Sequence, residues 1–213
     1  KFCMSASTLF FALSGGILPA LLWLWFWLQE DRLHPEPRAL IIRTFIAGMI
    51  AVPLVLPLEK LIQQEFAGTA FLMILLWASA EEILKWLSAF FAAFDTKAYD
   101  EPIDAVIYML TAALGFAAME NVLFLLTSIS NTSVLEGLVT GNLRFIGATL
   151  LHVLSSGAVA FFVGISFGRN WFSKIVHLLV GIIVAIVLHT VFNIYIMKSV
   201  VNEIFVVFCL YGC

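Results

Sequence analysis

Six apolar stretches, each long enough to cross a bilayer as a helix, leave this chain few alternatives. They run approximately over residues 9–28, 39–58, 67–94, 103–127, 143–167 and 175–197. Hydrocarbon offers no hydrogen bonds, so backbone polar groups in such stretches must pair within their own segment, which selects helices. The connecting segments are short: 29–38 with Pro35 and Pro37, then 59–66, 95–102, 128–142 and 168–174. The pattern predicts an all-α, polytopic transmembrane helical bundle of about six spans, organised as one domain over residues 1–213. A last apolar run, 200–210, is too short to span unaided. It is expected to be re-entrant, to lie on the surface, or to be the stub of a seventh helix.

Composition closes the other routes. Of 213 residues, 62% are hydrophobic and only 12% charged, and the mean hydropathy is +1.06. Soluble domains run at about 45–50% apolar and about 25% charged. A soluble fold, a disordered chain and a nucleic-acid binder are thereby excluded. The net charge of −3 says nothing about partners. Cys3, Cys209 and Cys213 sit at the two ends without a CxxC or Cys/His pattern, so they are expected unpaired. A bridge from Cys3 to the C-terminal segment would need both ends on an oxidising side. The start, Lys1-Phe2-Cys3, lacks the pattern of a cleaved signal peptide, so the first apolar stretch is expected to be retained.

Lys/Arg placement sets orientation. The segments after the first, third and fifth stretches carry, with their flanks, Arg32, Arg38, Arg43, Lys97, Arg169 and Lys174. The opposite side carries Lys1, Lys60, Arg144 and Lys198. This bias predicts both termini outside the cytoplasm.

Ionisable groups within a bilayer cost about 2.5–3.5 kcal/mol each on insertion scales, so they point to function. The third stretch carries Glu81, Glu82 and Lys85, with the lysine four and three residues beyond the two acids and in reach of either. A neutral Glu–Lys pair accounts for one carboxylate. The second suggests a shared or held proton, as an acid–base catalyst requires. The fourth stretch opens with Asp100-Glu101-Pro102-Ile103-Asp104, acids and a proline that suit a helix start. Asp104 and Tyr108 lie four apart on one face. A small-residue run, Ala112-Ala113-Leu114-Gly115-Phe116-Ala117-Ala118, permits close helix approach, and Glu120-Asn121 follow. In the fifth stretch Arg144, Ala148, His152 and Ser156 form one stripe; in the sixth, His189 and Asn193 lie one turn apart. Alternating topology puts Glu81, Glu120, His152, His189 and Asn193 within roughly 6–21 Å of one membrane face, so all can line one cavity.

These motifs resemble the PrsW family of intramembrane proteases, within the wider superfamily of CAAX-prenyl proteases and bacteriocin-processing enzymes. The matching residues are Glu81-Glu82-x-x-Lys85, Asp100-Glu101-Pro102-x-Asp104-x-x-x-Tyr108, Gly115-Phe116-Ala117-x-x-Glu120-Asn121, His152, and His189-x-x-x-Asn193, in family order over residues 77–193. Two positions depart from the wider superfamily, Lys85 completing EExxK rather than EExxxR and Ala148 standing where Phe precedes the middle histidine; Ala105 follows the second Asp where family members often have Gly.

The resemblance implies hydrolysis of a peptide bond by Glu81 and His152 acting on water, with His189 and Asn193 donating to the oxyanion. Glu82 with Lys85 or Arg144 would tune Glu81, and Asp104, Glu120 and Asn121 would support or position. Which adjacent glutamate is the base stays open. The expected centre is metal-free. A zinc site built from His152, His189 and Glu81 is the alternative, since zinc takes N and O donors. A transporter or proton relay is the reading from another class. The implied partner, besides the lipid bilayer, is a single-span membrane protein substrate such as an anti-sigma factor, cut at the cell membrane of a prokaryote.

Overall fold

The computed structural model describes residues 6–29, 34–131 and 134–199, with side chains described outside 128–146 and 196–199. Cys3, Cys209, Cys213, the 200–210 run and the side chain of Arg144 lie outside the described residues. Six helices follow the six stretches: α1 (Ala6–Trp27), α2 (Arg38–Phe66), α3 (Ala70–Ala89), α4 (Asp104–Asn131), α5 (Val134–Ile165) and α6 (Trp171–Ser199). A single π-helical turn, Phe90–Phe94, continues α3. No strand occurs among the described residues. All but α3 are long and apolar enough to cross a membrane by length and composition. The exception carries three ionisable residues, Glu81, Glu82 and Lys85, in its second half.

Three boundaries differ from the sequence reading. The segment expected to connect the second and third stretches is the last two turns of α2, which continues past Pro53 and Pro57 to Phe66. Residues 59–66, Glu-Lys-Leu-Ile-Gln-Gln-Glu-Phe, hold neither Gly nor Pro and are mostly good helix formers, so nothing stops the helix before Gly68. Its polar character, read as loop, is that of an amphipathic helix end. For α5 the helix starts at Val134, inside the expected 128–142 connection, and α6 starts at Trp171 rather than near 175.

The small residues of α4 explain the arrangement. α4 packs against α1, α2 and α5 and is the most buried of the apolar helices. Around it α3 packs on α2 and α6, and α6 on α5. The α2–α4 crossing is reciprocal: a Cβ on Gly48 would meet the Ala112 carbonyl oxygen at 2.1 Å, and one on Gly115 would meet that of Phe45 at 2.1 Å. Gly16 of α1 similarly faces the backbone of Val122. In lipid there is little hydrophobic drive between helices, so such backbone-level approach supplies the packing.

One end of α4 is clamped to its neighbours. Asp104 Oδ2 accepts the backbone N–H groups of Asp100 at 2.9 Å and Glu101 at 2.7 Å. The hydroxyl of buried Tyr108 donates to Glu36 before α2. Arg43 of α2 donates to the Phe91 carbonyl of the π turn at 2.5 Å.

The crossing yields a test. Gly48→Ala or Gly115→Ala must push α2 and α4 apart and is expected to lower stability by about 1–3 kcal/mol, the cost of overpacking. Gly157→Ala, whose Cβ would meet only Leu110 Cδ2 at 4.0 Å, should be neutral or gain helix propensity. Thermal unfolding in detergent micelles compares the three.

Candidate active site

Glu81, Glu82, Glu120, His152 and His189, predicted to converge, do so, in the half of the bundle where α4 and α6 finish. Adjacent residues on a helix point about 100° apart, so Glu81 and Glu82 face different neighbours. Glu82 has no exposed surface and sits among donors from three helices. Its Oε1 accepts from Lys85 Nζ of its own helix at 2.5 Å, from Ser155 Oγ of α5 at 2.8 Å and from His189 Nδ1 of α6 at 2.7 Å. Ser156 Oγ approaches Oε2 at 3.5 Å. A buried carboxylate is tolerated when its lone pairs are filled in this way.

Lys85, equally enclosed, donates also to His152 Nδ1 at 3.0 Å and lies 5.2 Å from the centre of the Phe116 ring. An ammonium has only hydrogens to give, so Nδ1 of His152 is the acceptor. The ring proton is therefore on Nε2, which donates to Glu120 Oε2 of α4 at 2.7 Å. Glu120 keeps 29% of its side chain exposed and is the wettest acid of the cluster. The two imidazoles stand nearly perpendicular, with centres 5.4 Å apart.

Glu81 is different from its neighbour. Its Oε2 is buried and has no hydrogen-bond partner. It lies 3.7 Å from His189 Nε2. Because Nδ1 of His189 carries its hydrogen toward Glu82, Nε2 presents a lone pair in the neutral ring. One ligand atom each from Glu81, His152 and His189 falls within 4.8 Å of the others, and all three residues are buried.

A metal ion fits this donor set. Two imidazoles and a carboxylate suit zinc. Glu81 offers an unpartnered oxygen, and His189 has its other nitrogen held by a carboxylate, the usual backing of a ligating histidine. His152 is backed by Glu120 in the same way and can offer Nδ1 in exchange for its bond to Lys85. The expectation of a metal-free centre thus meets a donor set that favours the zinc alternative.

Other expected site residues fall in different places. Asn193, one turn beyond His189, is half-buried near the same end. Asn121 is buried and donates to Thr149 of α5 at 3.4 Å, tying α4 to α5 beside Glu120. Asp104 is not in the cluster. It starts α4, sixteen residues before Glu120, hence about 24 Å away along the axis, and its work is the loop clamp described above. Two participants escaped the sequence reading. Ser155 lies three residues beyond His152, a helical neighbour that a four-residue stripe passes over. Glu59, assigned to a connection, is buried on α2, and its backbone carbonyl accepts the Trp77 Nε1–H of α3 at 2.9 Å.

The cluster gives a stability prediction. Glu82→Leu leaves the Lys85 ammonium buried without its carboxylate and should cost about 3–5 kcal/mol. The double variant Glu82→Leu/Lys85→Met should recover much of that loss. Chemical denaturation in micelles measures both, and a single variant as stable as the parent would show that the pair does not hold α3.

Comparison with known proteins gives the family. The family model described as "PrsW family intramembrane metalloprotease" matches residues 36–212. Among curated proteins, Protease PrsW of Geobacillus kaustophilus is 28% identical over 167 residues, 78% of this chain and 69% of the relative. Protease PrsW of Oceanobacillus iheyensis is 28% identical over 183 residues, covering 85% and 80%. Protease PrsW of Clostridioides difficile is 26% identical over 185 residues, covering 84% and 76%. No solved structure matches the chain. These relatives are named as proteases, and the chain they match is a multi-pass helical membrane protein with a buried Glu/His cluster. The chain belongs to the PrsW family and is a membrane-embedded peptidase.

Proposed function

We propose that this single helical-bundle domain is an intramembrane endopeptidase that hydrolyses a peptide bond of a single-span membrane protein at Glu81, His152 and His189. The observation that carries the reading is the unpartnered, buried Glu81 Oε2 facing His189 Nε2 amid a cluster of otherwise bonded polar atoms. A free carboxylate oxygen at that depth is costly unless something else occupies its lone pairs. Water and a metal ion are the candidates a hydrolase needs.

Glu81, His152 and His189 would hold the metal. When bound, it supplies Lewis-acid polarisation of the scissile carbonyl and makes coordinated water more acidic. The protein's own groups do the rest. The Glu81 oxygen that does not hold the metal would receive the proton of the attacking water and return it to the leaving amine, so one carboxylate serves as base and then acid. Glu82 holds the tautomer of His189, and Glu120 holds that of His152. Asn193 is assigned donation to the oxyanion. His189 was expected to share that task, but its Nδ1–H is committed to Glu82, which leaves its Nε2 as a lone-pair donor. Glu82, saturated by donors, is a positioning residue, and the base is Glu81. Asn121 and Arg144 remain supporting candidates, Asn121 through its bond to Thr149.

The Lys/Arg bias supports an outward-facing site, with both termini outside, so the cut bond would lie in the outer half of the membrane. A single-span substrate such as an anti-sigma factor fits that depth.

One observation favours a second reading. Both nitrogens of His152 are engaged, by Lys85 and Glu120. Without displacement of Lys85, Glu81 acts on water directly, with no metal.

Cleavage of a tagged single-span reporter in proteoliposomes tests the centre. Glu81→Ala and Glu81→Gln should each lose about 10²–10⁴-fold, the range for removing a general acid–base group. Full activity in both would refute the proposed centre. Treatment with 1,10-phenanthroline should inhibit the parent, zinc should restore it, and His189→Ala should lower the metal content of the purified protein. Activity unaffected by chelation, with no metal in the purified parent, would favour the metal-free reading.

A further inference from the structure

Ser155 belongs to none of the sequence motifs, and the proposed chemistry does not use it. It has no exposed surface and lies on α5 one turn beyond His152. A serine inside a helix ordinarily turns its hydroxyl back to a carbonyl of the preceding turn. Here that carbonyl, of His152, is 3.3 Å away, whereas Glu82 Oε1 of α3 is at 2.8 Å. A hydroxyl has one hydrogen to donate, and the shorter contact, to a carboxylate, takes it. The bond closes a ring across two helices. His152 Nδ1 accepts from Lys85 Nζ at 3.0 Å, and Lys85 and Ser155 both donate to Glu82 Oε1. The α5 backbone then joins Ser155 to His152. A branch from the same Oε1 leads to His189 Nδ1 of α6 at 2.7 Å. The two histidines, on different helices, therefore share one anchor. A ligand that takes His152 Nδ1 breaks the Lys85 arm of the ring. Ser155 is then the short tie between Glu82 and α5, since Ser156 adds only a 3.5 Å contact to Oε2.

We propose that Ser155 is a positioning residue of the hydrolytic centre: its hydroxyl holds the Glu82 carboxyl, and through it the His189 ring, in a fixed place relative to His152. The proposal rests on the reading of Glu81, His152 and His189 as the working centre. A glutamate has three side-chain torsions, and a carboxyl tied only to its own helix can turn with them. The carboxyl behind a working histidine sets the tautomer and the direction of the ring, so any freedom in Glu82 passes to His189 Nε2. A residue that only let α3 and α5 approach closely could be alanine as well as serine. A hydrogen-bond donor can be replaced only by another donor.

That difference is the test. Ser155→Ala removes the donor and little else. Two readouts separate positioning from packing: kcat on the tagged reporter, and affinity for zinc alone, measured by competition with a chromophoric chelator. Ser155→Ala should lower kcat about 10–100-fold with KM unchanged, and weaken zinc binding by a similar factor, as when a group behind a metal ligand is removed. Ser155→Thr restores a hydroxyl and should recover most of both. Parent-like kcat in Ser155→Ala would overturn the proposal, whatever happens to its unfolding temperature. Unchanged zinc affinity would overturn it too, and where the parent itself binds no zinc, kcat alone decides. A folded Ser155→Thr as deficient as Ser155→Ala is the third adverse outcome. If Ser155→Ala does not accumulate, Ser155→Gly takes its place, and Ser155→Cys does the same for Ser155→Thr, with the same outcomes. Glu81→Ala in the reporter assay keeps the two claims apart. Parent-like Ser155→Ala beside an inactive Glu81→Ala removes only the role of Ser155, whereas an active Glu81→Ala removes the proposed function on which it rests.

Discussion

A carboxylate with no exposed surface in a lipid-embedded bundle can persist only if the fold is arranged around it. Glu82 gathers donors from α3, α5 and α6 onto a single oxygen. Lys85 makes the arrangement larger by reaching on to His152, which reaches to Glu120 on α4. One connected set of charge-assisted bonds therefore crosses four helices. The desolvation of such a pair is recovered only where the geometry is good and the remaining valences are filled. Ser155, Ser156 and His189 fill those of Glu82, and Phe116 presents its ring to the ammonium. Remove one member and the rest become liabilities, so the network fixes the register of α3 against α5 and α6.

This network also separates two neighbours that the sequence presents as equivalent. The 100° step between residues turns Glu82 into the network and leaves Glu81 at its edge, between α2 and α6. Glu82 has four donors around it, three of them on one oxygen, whereas Glu81 Oε2 has none. The proposed assignment of the base to Glu81 rests on this count of lone pairs, since the two residues are of one type. The same counting assigns the histidines. Each ring has one nitrogen backed by a carboxylate, Glu82 for His189 and Glu120 for His152, which is the arrangement that orients an imidazole toward a metal or a substrate.

Much of this was legible before any coordinates. The spans were, because twenty apolar residues have few options in a bilayer. The convergence of Glu81, Glu82, His152 and His189 was, because polar residues on lipid-embedded helices must find one another, and alternation of the helices fixes their depth. Less visible were features that depend on neighbours. Glu59 looked like loop because hydropathy falls near the end of α2, although helix propensity continues to Phe66. Ser155 was hidden by a search for four-residue spacing where three serves as well. The motif from Asp100 to Tyr108 was recognisable as a motif, yet its residues belong to the clamp before α4, far along the axis from Glu120. A one-dimensional pattern records that residues matter together without recording at which end of a helix they act.

The two ends of α4 therefore carry opposite demands. At its start Asp104 gathers the backbone of the preceding turn, Tyr108 reaches Glu36, and a short chain of bonds joins α2, the π turn and α4. In its middle, Gly115 and Ala112 bring the α2 backbone to near contact. Beyond that crossing Glu120 remains partly exposed and Glu81 has an open oxygen. A bundle that admits water to carboxylates needs wide spacing where they sit, and one that is stable in lipid needs close backbone approach. With the clamp and the α2 crossing before Glu120 on α4, and the Gly16 contact at Val122 just after it, the same helix meets both demands. The small residues that read as packing and the acid that reads as chemistry are consequently carried by the same helix.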